Sequence, residues 1–142
     1  MKYVVDASLA FKWGVVELHS DKVQQLRDDF RNAVHELLAP DLFPTEVAHA
    51  LLVAERRGRI LPGQGPLLLA DVLTTLPRIY PSLAGLLPRA YAIAELTKAS
   101  IYDCLYVALA EREKCELITA DDKLVKKLQP HFSFVVSLAS RP

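Results

Sequence analysis

The chain is predicted to be an α/β protein, a three-layer α/β/α sandwich around a short parallel sheet of about four to five strands. Three observations predict it. Short apolar runs that do not alternate with polar residues recur along the sequence, as strands covered on both faces require. Between each such run and the next lies at least one stretch with apolar residues three and four apart, the spacing of a helix with one buried face. With 51% hydrophobic and 24% charged residues among 142, the composition suits one core, and residues 1–142 read as one domain.

Tyr3 to Val5 is an apolar run stopped by Asp6 and is expected as the first strand. Ala7 to Trp13 is expected as a short helix. Asp21 to Leu38 reads as a longer one, with Val23, Leu26, Phe30, Ala33, Val34 and Leu37 as its apolar stripe. Leu38 to Pro40 is expected to hold a very short strand. Asp41 is then expected to cap a helix through Arg57, with Pro44 tolerated in its first turn, Val47, Ala50, Leu51 and Ala54 as its stripe, and Gly58 as its stop. Gly58 to Pro66 is a loop, Leu67 to Leu76 a helix ended by Pro77, and Arg78 to Tyr80 a short strand. Helices over Leu83 to Thr97 and Tyr102 to Lys114, a strand at Leu117 to Thr119, a short helix at Asp122 to Leu128 and a last strand at Phe132 to Ser137 complete the pattern.

Charge and cysteine content narrow the function classes. Lys plus Arg and Asp plus Glu both number 17, so no bulk basic surface advertises a polyanionic partner. Cys104 and Cys115 have no second pair with which to build a thiolate metal site or a disulfide framework, and a reducing compartment fits them. The apolar start, Tyr3 to Val5, is shorter than a signal peptide needs, and no later run reaches the length of a membrane span. A cytoplasmic location away from membranes is expected.

In a parallel sheet the functional crevice lies beyond the carboxyl ends of the strands. After the first strand stand Asp6, Ala7 and Ser8, with no glycine-rich turn for a dinucleotide, and no Gly-Lys-Ser or Gly-Lys-Thr occurs for a phosphate loop. Asp121 follows the strand at Leu117 to Thr119. Glu46 sits early in the helix after Pro40, and Asp103 in the first turn of the helix from Tyr102, so four carboxylates can reach one rim. Gathered there, they would repel one another unless protons or hard divalent cations compensate, and oxygen donors suit Mg²⁺ or Mn²⁺. Each acid also has a plain structural explanation: Asp6 as a helix cap, Asp103 and Asp122 in capping-box spacing with Ser100 and Thr119, Glu46 as a solvated helix position. It is their combination at one crevice that points to chemistry.

Other chemistries fit less well. Glu46-x-x-His49 is half of a di-iron pattern that lacks its second pair, and no nucleophile elbow surrounds Ser8. A phosphotransfer enzyme with an aspartate nucleophile would want a second acid near Asp6, where Ser8 stands. Trp13 and Phe11 read as packing rather than as a platform for bases. Lys12, Arg56, Arg57, Arg59 and Lys123 are candidate contacts to a polyanionic substrate, although such charges also serve as solvated surface.

With Val4-Val5-Asp6-Ala7-Ser8, Ala39-Pro40-Asp41 leading to Glu46-Val47-Ala48, Tyr102-Asp103 opening a helix, and Thr119-Ala120-Asp121 after a late strand, the chain resembles PIN-domain proteins. In particular it resembles the VapC-type ribonuclease toxins of toxin-antitoxin systems. The resemblance spans essentially the whole chain and implies an endoribonuclease whose metal-binding acids map onto Asp6, Glu46, Asp103 and Asp121. Ser8 and Thr119 match positions where a hydroxyl supports those acids. It further implies an RNA substrate, a homodimer, and inhibition by a small VapB-like antitoxin. PIN folds also serve in RNA maturation, and a PIN-like module that binds RNA or protein without cutting is the third reading. Two departures stand out: His49 replaces an Asn frequent in relatives, and Asp122 adds an acid beside Asp121. If four acids belong to one metal centre, the remaining chain has four more bases than acids, so overall neutrality still permits an RNA substrate.

Overall fold

The structure, a computed structural model, describes residues 1–83 and 85–141. In chain order its first half runs β1 (Lys2–Val5), α1 (Ala7–Gly14), α2 (Ser20–Arg31), β2 (Glu36–Pro40), α3 (Phe43–Arg56), α4 (Gln64–Leu73) and β3 (Arg78–Tyr80). The second half runs α5 (Leu86–Thr97), α6 (Ile101–Glu113), β4 (Glu116–Thr119), α7 (Asp122–Leu128) and β5 (Val135–Ser137), with a final 3₁₀ turn at Leu138–Ser140. The five strands form one parallel sheet in the order β3-β2-β1-β4-β5. Val4 pairs with Leu38 on one side and Leu117 on the other, which puts the end of β1 between the ends of β2 and β4.

The two directions of travel across the sheet build the layers. From β1 through β3 the chain steps one way, and from β3 to β4 and β5 it returns across β1 and steps the other way. Right-handed crossovers therefore place α1 to α4 on one face and α5 to α7 on the other. Consistent with this, α1 packs on α2, α3 and α4, whereas α6 packs on α5 and across β1, β2 and β4. Every residue from Cys104 to Ala110 is buried, because α6 is covered by sheet on one side and α5 on the other. A leucine buried there, such as Leu109, contributes about 1.5–3 kcal/mol by leaving water.

Several boundaries differ from the sequence reading. The long helix expected to reach Leu38 stops at Arg31. Asn32 caps it, Ala33 turns to φ 58°, and residues from Glu36 pair with β1 instead. Leu37 and Leu38 are buried as strand residues, while Val34, part of the expected stripe, is exposed; pairing across the sheet outweighs the helical pattern. The helix expected over Leu67 to Leu76 spans Gln64–Leu73, since Pro66 fits a first turn whose N–H groups need no partner within the helix. Gly85, at φ 91°, caps α5 at Leu86, so Leu83 lies in a turn and the expected start falls partly on Ala84, outside the described residues. The last strand contracts to Val135–Ser137, with Phe132 buried ahead of it.

Asp41 does not cap α3. Leu42 occupies the cap position without a side-chain hydrogen bond, and Asp41 accepts the backbone N–H and hydroxyl of Ser82 instead. Those two donors hold its carboxyl below the usual range and tie the end of β2 to the chain after β3. Gly58 does end α3. At φ 72° it lets its own N–H reach the carbonyl of Glu55 and the Arg59 N–H reach that of Ala54, a Schellman closure that turns Arg59 back over the helix.

Candidate active site

Four helices begin at the rim where β1, β2 and β4 end. The helices α1, α3 and α7 start directly after those strands; α6 precedes β4 and runs against the sheet, so its first turn returns to the same rim. Helix N-termini carry unpaired N–H groups and partial positive charge, which favour carboxylates. The sequence places acids at all four: Asp6 and Asp121 as the caps of α1 and α7, Glu46 and Asp103 in the first turns of α3 and α6.

Asp6 is buried, and one of its oxygens accepts both the N–H and the hydroxyl of Ser8. Desolvation pushes its carboxyl up to about 6, against the hydrogen bonds from Ser8 and Thr119 that favour the charged form. Ser8 also accepts the Ala120 N–H at 3.1 Å, and the fully buried Thr119 accepts that of Asp121 at 3.1 Å. These two hydroxyls thus join the turn after β1 to the turn after β4. The cap of α7 is Asp121, holding the N–H groups of Lys123 and Leu124 at 3.1 Å, and not Thr119 as the capping-box spacing suggested. Asp122 accepts the hydroxyl of Ser137, the last residue of β5, at 2.8 Å.

Asp103 is the electrostatic centre of the group. Its N–H bonds the Ser100 hydroxyl at 3.1 Å, completing half of the expected capping box. Burial raises its carboxyl against a hydrogen bond from the Ser100 side chain, and the charge of Asp121 raises it further against the opposing Lys127. The same Asp103 charge raises Asp6 and Glu46. Glu46 is raised chiefly by desolvation, countered by a hydrogen bond at 2.6 Å from the hydroxyl of Tyr106. Tyr106 lies one turn beyond Asp103 on α6, is buried, and has its own hydroxyl held far above its usual value by burial and by Glu46. Sequence reasoning missed it; the only signal was its position three residues after an acid on one helix face.

The four acids are thus electrostatic neighbours. Among the described residues, however, no three His, Cys, Asp or Glu side chains stand close enough to enclose a metal ion together. At this rim a groove of about 600 Å³ lies between α1 and α3, lined by Ser8, Glu46 and Asp121 and also by Lys12, Arg57 and Arg59. His49 lines it from the same face of α3 as Glu46; Arg56 and Lys123 do not. Phe11 and Trp13 are buried beneath Arg59 and Arg27, respectively, as packing residues. A second hollow, of about 440 Å³, opens by Tyr3 and Glu116 at the opposite ends of β1 and β4, away from the acids. No helix among the described residues is long and apolar enough to cross a membrane.

The raised acids carry a pH prediction for the metal-free protein. Asp6 moves from 3.8 to about 6 on folding, so the folded state holds this proton more tightly than the unfolded state. Its contribution to stability is fully present below about pH 4 and is lost as the pH rises through about 6. A shift of that size corresponds to about 3 kcal/mol. Urea titrations in EDTA across this window are expected to show Asp6→Asn gaining on the parent as the pH rises, since Asn still caps α1. Parallel curves would refute it.

A parallel α/β/α sandwich that collects acids from helix starts at one rim of its sheet is the architecture expected of a PIN domain. The chain belongs to that family, matching the PIN domain over residues 3–128. Its relatives there are VapC ribonucleases. Ribonuclease VapC3 of Pyrobaculum aerophilum is 32% identical over 128 residues, covering 89% of this chain and 95% of that protein. Ribonuclease VapC9 of Mycobacterium tuberculosis is 34% identical over 121 residues, covering 85% of this chain and 87% of that protein. The fold also matches the crystal structure of a Pyrobaculum aerophilum protein with a TM-score of 0.70 at 23% identity, over 99% of this chain and 94% of that one.

Proposed function

We propose that this protein is a metal-dependent endoribonuclease, the toxin of a toxin-antitoxin pair, acting in the cytoplasm. The observation that carries the reading is the gathering of four acids at helix starts on one rim, Asp103 acting on Asp6 and Glu46 and itself acted on by Asp121, where Glu46 and Asp121 line a groove together with Lys12, Arg57 and Arg59. The relatives' names support the same activity.

The donor set fits a hard cation. It is all oxygen, with no thiolate or imidazole ligand implied, and three of its members, Asp6, Glu46 and Asp103, are buried enough for their carboxyls to be raised. Mg²⁺ takes only one or two carboxylates and completes its shell with water and substrate phosphate, so it does not require three converging side chains. Asp6, Asp103, Asp121 and Glu46 would share one or two Mg²⁺ or Mn²⁺ ions, which when bound neutralise phosphate charge and make water a nucleophile near neutral pH. Ser8 and Thr119 keep the Asp6 carboxylate aimed by donating to it. Tyr106 fixes one oxygen of Glu46 and leaves the other free to accept a proton from an attacking water. In-line attack by water opposite the 3′-oxygen breaks the P–O3′ bond, so one fragment leaves with a 3′-hydroxyl and the other keeps a 5′-phosphate, the outcome the family resemblance implies. The same reading gives the protein a small VapB-like antitoxin and a second copy of itself as partners.

Incubating the pure protein with a mixed RNA pool is expected to yield 5′-phosphorylated fragments with Mg²⁺ or Mn²⁺ and none with EDTA. Intact RNA in every metal would leave a PIN-like binding module as the reading.

A further inference from the structure

Glu17, in the turn between α1 and α2, reaches into the groove and bridges two cations. One carboxylate oxygen lies 3.3 Å from the Lys12 ammonium, and the other pairs with the Arg59 guanidinium. We propose that Lys12 and Arg59 form a binding subsite for an RNA backbone phosphate flanking the scissile one, and that the Glu17 carboxylate occupies this subsite until RNA displaces it. The inference rests on the ribonuclease reading above.

Three features of the subsite are built in. Lys12 is only 12% exposed and is aimed by a second bond, at 2.9 Å, to the Leu18 carbonyl. Arg59 is turned over the groove by the Schellman closure at Gly58, and its guanidinium lies 5.2 Å above the Phe11 ring. The Glu17 backbone is pinned by its N–H to the Ser20 hydroxyl at 2.9 Å, so only its side chain has to swing away. Two cations held this close need an anion between them, and a phosphate with two free oxygens supplies the same charge and the same pair of acceptors as Glu17. The position is right for a neighbouring nucleotide: Lys12 stands one turn of α1, about 6 Å, beyond Ser8, in the same groove as Glu46 and Asp121. Exchanging one anion for another keeps the groove neutral when empty, and it makes RNA affinity depend on how well Glu17 competes.

Anisotropy titrations of a labelled single-stranded RNA in EDTA, where cleavage is silent, test this on the full chain. Glu17→Gln is expected to tighten binding about three- to tenfold. Arg59→Gln is expected to weaken it by a similar factor and to make the slope of log K against log salt shallower by about 0.7, one phosphate contact on a single strand. Affinities unchanged by both substitutions, or no binding by any of the proteins, would overturn the subsite. So would a poly-glutamate peptide that binds as well as RNA and responds equally to both variants, which would assign the cations to an acidic polypeptide. Cleavage in Mg²⁺ separates the two readings. Variants without effect on binding beside intact cleavage sink the subsite alone, whereas the expected binding shifts without any cleavage support the subsite and sink the nuclease.

Discussion

Asp103→Asn is expected to lower Mg²⁺-dependent RNA cleavage by at least about a hundredfold, while the metal-free variant melts no lower than the parent. The two halves of this result come from one charge. Asp103 interacts electrostatically with Asp6, Glu46 and Asp121, so neutralising it weakens whatever cation the group holds and also relieves repulsion in the empty site. The cap of α6 survives, because the bond at 3.1 Å to Ser100 uses the backbone N–H of residue 103, and the amide oxygen of Asn can still accept the hydrogen bond that the Ser100 side chain gives the carboxylate. Cleavage rates with thermal melts in EDTA measure both halves. Full activity would remove Asp103 from the site, and a large fall in melting temperature would make its role one of folding.

Tyr106→Phe is expected to cost about ten- to a hundredfold in cleavage and to raise the metal concentration at half-maximal rate, the range found when a group that orients a ligand is lost. The ring is buried and phenylalanine keeps its shape, so the change removes essentially the hydroxyl that holds Glu46 at 2.6 Å. Glu46 then stays half buried without its donor, and its carboxyl is pushed further up. In Glu46→Gln the Tyr106 substitution should add little, because both act through the same bond. Independent, additive losses in the double variant would refute the pairing.

How far these residues could be read beforehand depends on the range of the forces that place them. Asp6 and Asp121 were legible because each directly follows a short apolar run, and the end of a parallel strand is a fixed place. Asp103 and Glu46 followed from helix starts. Tyr106 was not legible: a tyrosine within an apolar helix reads as core, and its partner lies 60 positions away on the opposite layer. The misreading of Asp41 has the same origin, since an Asp between a strand and a helix has every local mark of a cap, and only the folded chain brings Ser82 to compete for it. The α2 boundary failed because the stripe continues through Leu37, a residue that either a helix or a strand would bury. Lys12 and Arg59 were legible as cations, but Glu17 between them was not, because the link joins two loops across the groove.

The sheet order sets a timetable for synthesis. β1, made first, waits at the centre of the sheet with one flank open until β4 arrives from the last quarter of the chain. Until residues 116–121 have left the ribosome, Asp121 is missing and the hydroxyl of Ser8 has no Ala120 N–H to hold. The turn after β1 therefore lacks that brace, and a nascent fragment ending before residue 121 lacks one of the four rim acids. Strand connectivity thus couples two events: when β4 closes the open flank of β1, the same strand delivers Asp121 to the rim that already holds Asp6.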